Sequence, residues 1–449
     1  MKVIKLLKPI FQLLVEIGVV WPIVFVYSRV IDEIKPDHKK KKLPAILALT
    51  HERFRKDLDV LANTGEFRVL TISSTWQGRI LTQFYPTEIT KKQIFNSEMS
   101  VEVHKAQQKL HAFLRIFLPL LYRRLGVKCV LGASLFYLQD VDWGNISEEI
   151  KVPFILILRE NYGGEAPTHK RYKNVFPYKM RFQGSKVMCQ NESVCRMFLH
   201  FGYVTSEKIV ALGCLRMDEF IEKVKSHQKT LGKRKKVLLF SFSHGNSLIG
   251  HPDHVMHFDN IAWSRKSDVG WIKLFESVHS AFARLAIERP DIDFIIKPKW
   301  LGIWKEKIEN AVANQGINLS KISNIQFTEE DTGTLILDSD VVCSFGSNTI
   351  VEAGFAAKPV IIPMYHEANR QDYREFLWFC DYYHLYDIAE SEESFIALIK
   401  EKLVNPAVEN KILEKRKALF GYTYSSTKSD AAIKYTKVIK DVIRRNYAL

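Results

Sequence analysis

The sequence predicts an α/β protein made of two Rossmann-like domains. From Leu43 onwards, short apolar runs alternate with stretches of helical periodicity, which is the pattern of βα units that assemble parallel sheets. A charged linker at Lys223–Lys236 interrupts this alternation, and a second series of apolar runs follows it. The length of 449 residues suits two or three domains. We therefore expect two domains that join near residue 225.

The composition excludes several classes of protein. A hydrophobic fraction of 47% and a charged fraction of 26% are typical of a globular chain, which excludes intrinsic disorder. No stretch beyond the first thirty residues approaches the length that spans a bilayer, so a polytopic membrane protein is excluded too. The six cysteines show no CxxC pair or regular spacing, and we expect them to be reduced thiols in a cytosolic protein.

The first thirty residues are unusual for such a chain. Twenty mostly apolar residues, Pro9–Ser28, lie between a lysine-rich start and the basic run Lys39–Lys42. Glu16 argues against a spanning helix, because an acidic side chain at the bilayer centre costs about 2.5–3.5 kcal/mol. We expect residues 1–42 to be a membrane-associating segment whose apolar helix lies in the interface, with its lysines on anionic headgroups. The alternatives are a true span and a helix buried against the globular body.

The first domain is expected to cover residues 43–225. In the stretch Val101–Leu125, Leu, Phe and Ile recur three and four positions apart, which predicts an amphipathic helix. The predicted strands are Ala45–Leu49, Arg68–Ile72, Cys129–Leu131, Phe154–Leu158, Lys186–Cys189 and Ile209–Leu212.

The second domain is expected to cover residues 226–425. Its predicted strands are Val237–Ser241, Asp293–Ile296, Asn324–Phe327, Val341–Ser344 and Val360–Ile362. Helices are predicted at Gly270–Glu288, Thr349–Ala357 and Ala431–Arg445. The last of these belongs to a C-terminal helical segment, residues 426–449, that can return to the first domain.

The clearest candidate site follows the predicted strand Val341–Ser344. Gly346 permits a tight turn there, and the start of the next helix is a place where phosphate binds. An N-cap, hydroxyls and free backbone N–H groups come from Ser347, Asn348 and Thr349. Glu352, one turn further, is placed to accept hydrogen bonds from a ribose diol. The same residues also fit a plain capping box.

The stretch Asp340–Pro363 resembles the nucleotide-binding region of glycosyltransferases with the two-domain GT-B fold. In that family a strand ending in Ser or Thr leads through a small-residue turn to a helix carrying Glu, and a Gly/Ala-x-Lys/Arg-Pro-Val strand follows. Val210–Asp218 is similar to the family's Gly-x-x-x-x-Asp segment, and Asp293–Lys299 is similar to its Lys-Pro strand end. The similarity runs loosely over residues 185–430 and more weakly over 45–185.

This family includes bacterial surface-polysaccharide transferases, CDP-glycerol glycerophosphotransferases and the UDP-GlcNAc 2-epimerase. The resemblance implies two Rossmann-like domains facing across a cleft, a donor bound by the second domain, and chemistry that usually works without a metal or other cofactor. It also implies a pyrimidine donor, with UDP-sugars and CMP-sugars both open. Finally, it places Glu367, with His366 and Arg370 as secondary candidates, in a loop that touches the donor.

Two other loops are predicted to face the donor. The segment after Ile296 lacks the His-Pro of many relatives, but Lys297 or Lys299 can still neutralise a donor phosphate. A solvated turn is the alternative for these lysines. After the strand Val237–Ser241, Ser243 and the Gly245 backbone can hold phosphate, with His244 beside the leaving group.

The segment Gly250–His257 is rich in histidine and raises the question of a metal site. It lacks an HExxH arrangement and cysteine partners, so an ordinary polar loop is the preferred interpretation and no metal is predicted.

The acceptor side of the cleft is expected in the first domain. An inverting transferase needs a base that takes the proton of the acceptor hydroxyl, usually a carboxylate or a histidine. The strand-end loops offer three such groups, Glu52, Glu160 and His51. Arg53 and Arg159 can bind an anionic acceptor or simply pair with the neighbouring acids.

We therefore expect a glycosyltransferase that moves a sugar from a nucleotide-activated donor to a cell-surface glycan or lipid-linked acceptor, at the inner face of the cytoplasmic membrane. One alternative is a nucleotide-sugar epimerase or hydrolase of the same fold. The other is a non-catalytic membrane or nucleic-acid binding protein. The net charge of +15 is assigned to membrane contact and an anionic donor, because the basic runs carry no nucleic-acid binding motif.

Overall fold

The chain folds around two separate, mainly parallel β-sheets. The computed structural model describes residues 13–15, 17–35, 42–85, 100–161, 180–227, 234–248, 256–257, 264–265, 270–299 and 301–447. Within these residues, one seven-stranded sheet is built from the first half of the chain and one six-stranded sheet from the second half. This confirms the predicted fold class, α/β with two Rossmann-like units.

The first sheet has the strand order β1-β3-β2-β4-β5-β6-β7. Its strands are β1 (Asp32–Glu33), β2 (Ala45–Ala48), β3 (Arg68–Thr71), β4 (Val127–Gly132), β5 (Phe154–Ile157), β6 (Lys186–Cys189) and β7 (Ile209–Ala211). All neighbours are parallel except β1, which pairs with β3 in the antiparallel direction. The six parallel strands were predicted because strands covered on both faces are continuous apolar runs. β1 was missed because it consists of two acidic residues.

The second sheet is parallel throughout, with the order β12-β11-β8-β13-β14-β15. Its strands are β8 (Lys236–Phe240), β11 (Asp293–Lys297), β12 (Ile325–Phe327), β13 (Val341–Ser344), β14 (Val360–Pro363) and β15 (Asp387–Ala389). Two further strands of two residues each, β9 (Met256–His257) and β10 (Ser264–Arg265), pair with each other in the antiparallel direction and belong to neither sheet. Neither this pair nor the short edge strand β15 was predicted.

Helices cover the sheets and connect their strands. The first half contains α1 (Trp21–Val30), α2 (Arg55–Asn63), α3 (Ser74–Phe84), α4 (Val101–Leu125), α5 (Leu138–Glu149), α6 (Glu192–His200) and α7 (Met217–Ser226). The second half contains α8 (Ile272–Glu288), α9 (Leu301–Ala313), α10 (Thr332–Asp338), α11 (Thr349–Phe355), α12 (Gln371–Arg374), α13 (Glu392–Val404), α14 (Asn410–Tyr424) and α15 (Ala431–Tyr447).

The long helix α4 shows how the sequence specifies such an element. Ser100 caps its first turn by accepting a hydrogen bond from the backbone N–H of Val103, and Gly126 ends it in the left-handed conformation at φ 74°. Its apolar residues at three- and four-residue spacing, including Leu110, Leu114 and Phe117, are buried against the first sheet.

The last helix, α15, packs on the first sheet although it follows the second in sequence. Tyr435 and Ile439 are buried with side chains of β2 and β4, and the Tyr435 hydroxyl donates to the Gly213 carbonyl at 3.0 Å. Asp218 caps the helix, since its carboxylate accepts the backbone N–H groups of Ala431 and Ala432 at 3.2 and 2.8 Å. The chain therefore crosses between the two sheets twice, before β8 and after α14.

The helix α1 packs one face on α4 and leaves the other in solvent. Pro22 occupies its first turn, where a missing N–H costs nothing. Ile23, Val24 and Tyr27 are buried, and the Tyr27 hydroxyl donates to the carbonyl of Trp76 at 2.8 Å. No described helix is long and apolar enough to cross a membrane. Of the predicted segment 1–42, residues 1–12, 16 and 36–41 lie outside the described residues.

All six cysteines are free thiols, as predicted. Five are buried in the cores, at 129, 189, 195, 214 and 343.

Candidate active site

The strand orders locate one crevice at the carboxyl edge of each sheet. In the first sheet the chain runs from β2 to β3 on one side and then to β4 on the other side of β2. In the second sheet it runs from β8 to β11 and β12 and then to β13 on the other side of β8. Ligands of open α/β sheets bind at such switch points, because the loops on either side diverge and leave a gap. The loops after β2 and β4, and those after β8 and β13, are therefore the places to examine.

The loops after β8 and β13 are tied together by three side-chain hydrogen bonds. Asn246 donates to the carbonyls of Phe345 and Gly346, both at 2.8 Å, and the Ser247 hydroxyl donates to Gly346 at 3.0 Å. Gly346 has φ +55°, and a Cβ there would lie 2.7 Å from the Ser247 oxygen. Only glycine fits this turn, both for its backbone conformation and for the close approach of the β8 loop.

The start of α11 is a cluster of hydroxyl groups. The Ser344 and Thr349 oxygens are 2.7 Å apart, and the Ser347 oxygen accepts the backbone N–H of Thr349 at 3.3 Å. Asn348 is the N-cap residue, but it has helical dihedral angles and its side chain makes no capping bond. The alternative of a capping box that includes Glu352 is therefore wrong.

Glu352 faces inwards from α11. Its carboxylate is buried and accepts a hydrogen bond from the Tyr424 hydroxyl at 2.7 Å. Burial raises the pKa of this carboxyl, and the hydrogen bond from Tyr424 and the charge of Arg216 partly oppose that rise. Arg216 in turn lies 3.5 Å from the buried carboxylate of Asp57 on α2. This network joins both halves of the chain and was not predicted, and the ribose role of Glu352 stays a prediction.

The loop after β8 holds the predicted donor residues Ser243, His244 and Gly245, all half-buried. The His244 ring packs edge-on against Phe275 and Trp304, with ring centroids 4.8 and 5.6 Å away. Its carbonyl accepts the backbone N–H of Trp271 at 2.8 Å. Most of the histidine-rich segment that follows lies outside the described residues.

Lys297 is the last residue of β11, and Lys299 lies two positions beyond it at the same edge of the sheet. Charged groups of the first domain influence the pKa of both lysines. Burial is the main cause that lowers the pKa of both ammonium groups. Lys56 of α2 lowers the pKa of Lys297 further. Glu160 raises the pKa of Lys299, whereas Arg159 and Arg53 lower it. Lys56, in the helix that follows β2, pairs with Asp331, which follows β12, so the carboxyl edges of the two sheets face each other.

Glu367 has a role that was not predicted. Its two carboxylate oxygens accept the backbone N–H groups of Lys273 and Leu274 at 2.8 and 2.9 Å, so it caps the start of α8. Of its neighbours, His366 has a left-handed backbone with φ 50°, and Arg370 pairs with Asp372 at 2.6 Å. Contact of these residues with a donor stays a prediction.

The switch point of the first sheet contains a buried polar network. Thr50, in the left-handed conformation at φ 45°, donates its hydroxyl to Asp140 at 2.5 Å and its backbone N–H to Gln77 at 2.8 Å. Gln77 also donates to Asp140 at 3.0 Å. Asp140 is fully buried, its second oxygen has no hydrogen-bond partner among the described residues, and burial raises its pKa to about 7.

Sequence reasoning missed Asp140, because it lies eight positions after the end of β4 and inside a helix. The signal that could have found it is the pair of acids, Asp140 and Asp142, which alternate with the apolar residues Val141 and Trp143.

The three candidate bases differ in their surroundings. Glu52 is exposed and accepts the backbone N–H of Ser74 at 3.0 Å, so it caps α3. His51 is half-buried, its Nδ1 has no hydrogen-bond partner in the part of the chain that the structure describes, and burial lowers its pKa. Glu160 is exposed, and its ion pair with Arg159 is loose at 3.9 Å.

The two predicted acceptor-binding arginines lie beside each other. Arg159 donates a hydrogen bond to the carbonyl of Arg53. The Arg53 guanidinium lies over the Tyr137 ring, 5.7 Å from its centroid. Both charged groups are thus held at the edge of the first sheet, near Glu160.

Among the described residues, no group of three or more histidine, cysteine or acidic side chains could hold a metal ion.

Comparisons with known proteins give similarities of structure only. No family model matches the chain, and no curated protein matches it. A UDP-GlcNAc 2-epimerase from Neisseria meningitidis bound to UDP-GlcNAc has a TM-score of 0.47 and 13% identity, over 89% of this chain and 100% of that one. A glycosyltransferase from Rickettsia africae has a TM-score of 0.47 and 13% identity, over 90% and 99%. The wall teichoic acid polymerase TagF has a TM-score of 0.48 and 11% identity, over 99% of both chains.

These three proteins are of the kinds that the sequence resemblance names. At such identities and TM-scores the likeness is one of overall architecture, and the two-sheet fold rests on the strand pairings given above.

Proposed function

We propose that the protein is a glycosyltransferase that moves a sugar from a nucleotide-activated donor, a UDP-sugar or a CMP-sugar, to a glycan or lipid-linked acceptor. The main support for the proposal is that the crevices at the switch points of the two sheets face each other. Lys299, at the edge of the second sheet, lies within the electrostatic reach of Glu160, Arg159 and Arg53 at the edge of the first. A two-substrate reaction needs such an arrangement, because donor and acceptor must meet between the groups that bind them.

The donor phosphates belong on the second sheet. Lys297 and Lys299 supply positive charge at the end of β11, and the turn at Gly346 presents backbone N–H groups and the hydroxyls of Ser347 and Thr349. Charge that develops on a leaving phosphate is stabilised best by donors that are already in place. In this proposal these groups do electrostatically what a bound metal does in other transferases.

Glu160 is the preferred base for the acceptor hydroxyl. Its carboxylate is exposed, and its ion pair with Arg159 is loose at 3.9 Å. Glu52, in contrast, accepts the backbone N–H of Ser74 and stabilises α3. His51 remains a third candidate, since burial lowers its pKa and keeps the ring able to accept a proton.

The first test is which nucleotide stabilises the protein. Binding to the folded state raises the melting temperature by mass action, so UDP or CMP should raise it and adenine nucleotides should not. The second test incubates the protein with the matching nucleotide sugar, with and without acceptor. Epimerised or hydrolysed sugar formed rapidly without an acceptor would refute the transferase and favour the alternative enzyme.

We also propose that the N-terminal part of the chain contacts a membrane surface. Six of the fifteen exposed large hydrophobic side chains in the described residues lie between positions 13 and 26. They form what we call the N-terminal apolar face, which consists of Leu13, Ile17, Val19, Trp21, Phe25 and Val26. Trp21 and Phe25 are 57% and 51% exposed on the side of α1 opposite to its buried residues. An apolar helix face of this kind is typical of interfacial helices.

Basic groups at the same face favour an anionic lipid surface over another protein. The guanidinium groups of Arg29 and Arg124 lie 5.4 and 5.5 Å from the centroid of the Phe25 ring. Arg124 also donates to the Ser28 hydroxyl at 2.9 Å, which holds it beside α1. The proposed location is accordingly the inner face of the cytoplasmic membrane, where acidic headgroups attract such residues.

Vesicle flotation tests this contact. The wild type should float with vesicles that contain phosphatidylglycerol, and the double variant Trp21→Ser/Phe25→Ser should stay in solution. Val404→Ser, which removes an exposed apolar side chain elsewhere, is the matched control and should float. Flotation of the double variant, or a change in its oligomeric state alone, would contradict the lipid contact.

A further inference from the structure

A serine–histidine pair, Ser241 and His279, lies at the switch point of the second sheet. Ser241 is the first residue after β8, and its backbone N–H donates to the carbonyl of Lys297 at 3.1 Å. Its hydroxyl oxygen lies 2.9 Å from Nε2 of His279, a fully buried residue of α8. Ser241 itself is half-buried at the crevice.

The tautomer of His279 follows from its second contact. Nδ1 lies 2.6 Å from the backbone carbonyl of Phe275, and a carbonyl oxygen can only accept a hydrogen bond. Nδ1 therefore carries the proton, and Nε2 of the neutral ring is an acceptor. Burial lowers the pKa of His279 to about 4, so the ring is neutral at physiological pH.

The direction of the serine bond is thereby determined. Because Nε2 accepts, the Ser241 hydroxyl must donate its one proton to His279. The ring is held in this orientation by the Phe275 ring, whose centroid is 4.1 Å away. Among the described residues, the Ser241 oxygen has no other hydrogen bond, so its lone pairs remain available at the crevice.

We propose that Ser241 is a specificity-determining residue of the donor site, where its oxygen accepts a hydrogen bond from an O–H or N–H group of the transferred sugar. His279 is the positioning residue, because its Nε2 accepts the hydroxyl proton of Ser241 and leaves the serine oxygen as an acceptor for the ligand. A phosphate oxygen is also an acceptor, so it gains nothing from Ser241 and is directed to Lys297 and the Gly346 turn. This inference rests on the proposed nucleotide-sugar donor and assigns where its sugar lies relative to its phosphates.

The test compares a nucleotide with its nucleotide sugar. UDP and UDP-N-acetylglucosamine form one pair, CMP and CMP-Kdo the other, and the pair that binds the wild type is used in calorimetric titrations. Ser241→Ala should weaken the nucleotide sugar about 2- to 12-fold, the value of one neutral hydrogen bond, and leave the nucleotide within about twofold. Ser280→Ala, which truncates a buried serine of α8 whose hydroxyl has no hydrogen-bond partner within the described ranges, is the control and should change neither affinity.

A second variant tests the role of the histidine. His279→Phe keeps a ring but removes the acceptor, so the Ser241 proton becomes free to reach a phosphate. The ratio of nucleotide-sugar to nucleotide affinity should therefore fall in His279→Phe. The double variant Ser241→Ala/His279→Phe has no serine proton, so any gain that this proton gives to phosphate binding should be absent. A purely structural role of His279 would change both affinities in parallel.

Two outcomes separate this inference from the proposed function. If the wild type binds neither pair, the proposed function fails and this inference fails with it. If the wild type binds and Ser241→Ala changes both ligands equally or neither, the nucleotide site stands and the serine contact is wrong.

Discussion

At the scale of single residues, the structure shows side chains whose properties depend on one or two close neighbours. Asp140 is the clearest case, because one carboxylate oxygen accepts from Thr50 and Gln77 while the other has no partner among the residues that the structure describes. An uncompensated buried carboxyl prefers its neutral form, which is why its pKa rises from 3.8 to about 7.

The stability of the protein should therefore depend on pH through Asp140. The folded pKa lies above the unfolded one, so the stabilisation is complete below pH 4 and is lost as the pH rises through 7. At most about 4 kcal/mol is involved, at 1.36 kcal/mol per pKa unit. In Asp140→Asn, the free energy of unfolding in urea should fall less between pH 5 and pH 8 than in wild type. Asn145→Ala on the same helix is the control, and equal slopes in Asp140→Asn and wild type would contradict this view.

Gly346 offers a second test at this scale. Gly346→Ala should lower stability by about 1–3 kcal/mol and weaken nucleotide binding, because the new Cβ would meet the Ser247 oxygen at 2.7 Å in a left-handed backbone. Gly302→Ala, in α9, adds a Cβ with no atom within 4 Å and should leave stability unchanged or slightly higher. Thermal unfolding of both variants measures the difference, and equal effects would refute the steric argument.

At the scale of elements, carboxylates at helix starts link distant parts of the chain. Glu52 caps α3, Glu367 caps α8 and Asp218 caps α15, each from another segment. Such caps satisfy backbone N–H groups that a helix leaves open, and they orient the helix relative to the loop that carries the acid. They thereby position the loops at both crevices.

Glu367→Ala should consequently destabilise the protein by about 1 kcal/mol, the usual cost of a lost cap. Glu276→Ala, which removes a half-buried acid of α8 away from its start, should cost less. Denaturant titrations decide between the two. A loss of donor affinity in Glu367→Ala without loss of stability would instead support the donor contact that the resemblance implies.

At the scale of the whole molecule, the two sheets face each other, and we expect the base that lies nearest the second sheet to matter most for catalysis. Glu160→Gln should lower kcat by about 10²–10⁴ with little change in KM, since Glu160 faces Lys299 across the cleft. Glu52→Gln should mainly weaken the cap of α3 and lower stability. Steady-state kinetics and unfolding of both variants test this ranking. A large fall in kcat for Glu52→Gln alone would reverse it.

Much of the fold could be predicted, and less of the site. Parallel strands buried on both faces are apolar runs, so eleven strand positions followed from the sequence within one or two residues. The turn at Gly346 was also predictable, because small polar residues between a strand and a helix have few other uses. Glu52 was predicted as a catalytic base and Glu367 as a donor-binding group. Nothing in the sequence indicates that each caps a helix whose start lies more than twenty residues away.

The sequence by itself thus determined the two series of strands, their separation by a charged linker, and the apolar character of the N-terminal helix. Those features depend on periodicity and burial, which are local properties of the chain. Only the tertiary structure decided that α15 returns to the first sheet, that Asp140 is enclosed by Thr50 and Gln77, and that His279 takes the proton of Ser241. Each depends on groups brought together from distant positions, and the burial that changes their hydrogen bonding and pKa exists only after the sheets have packed.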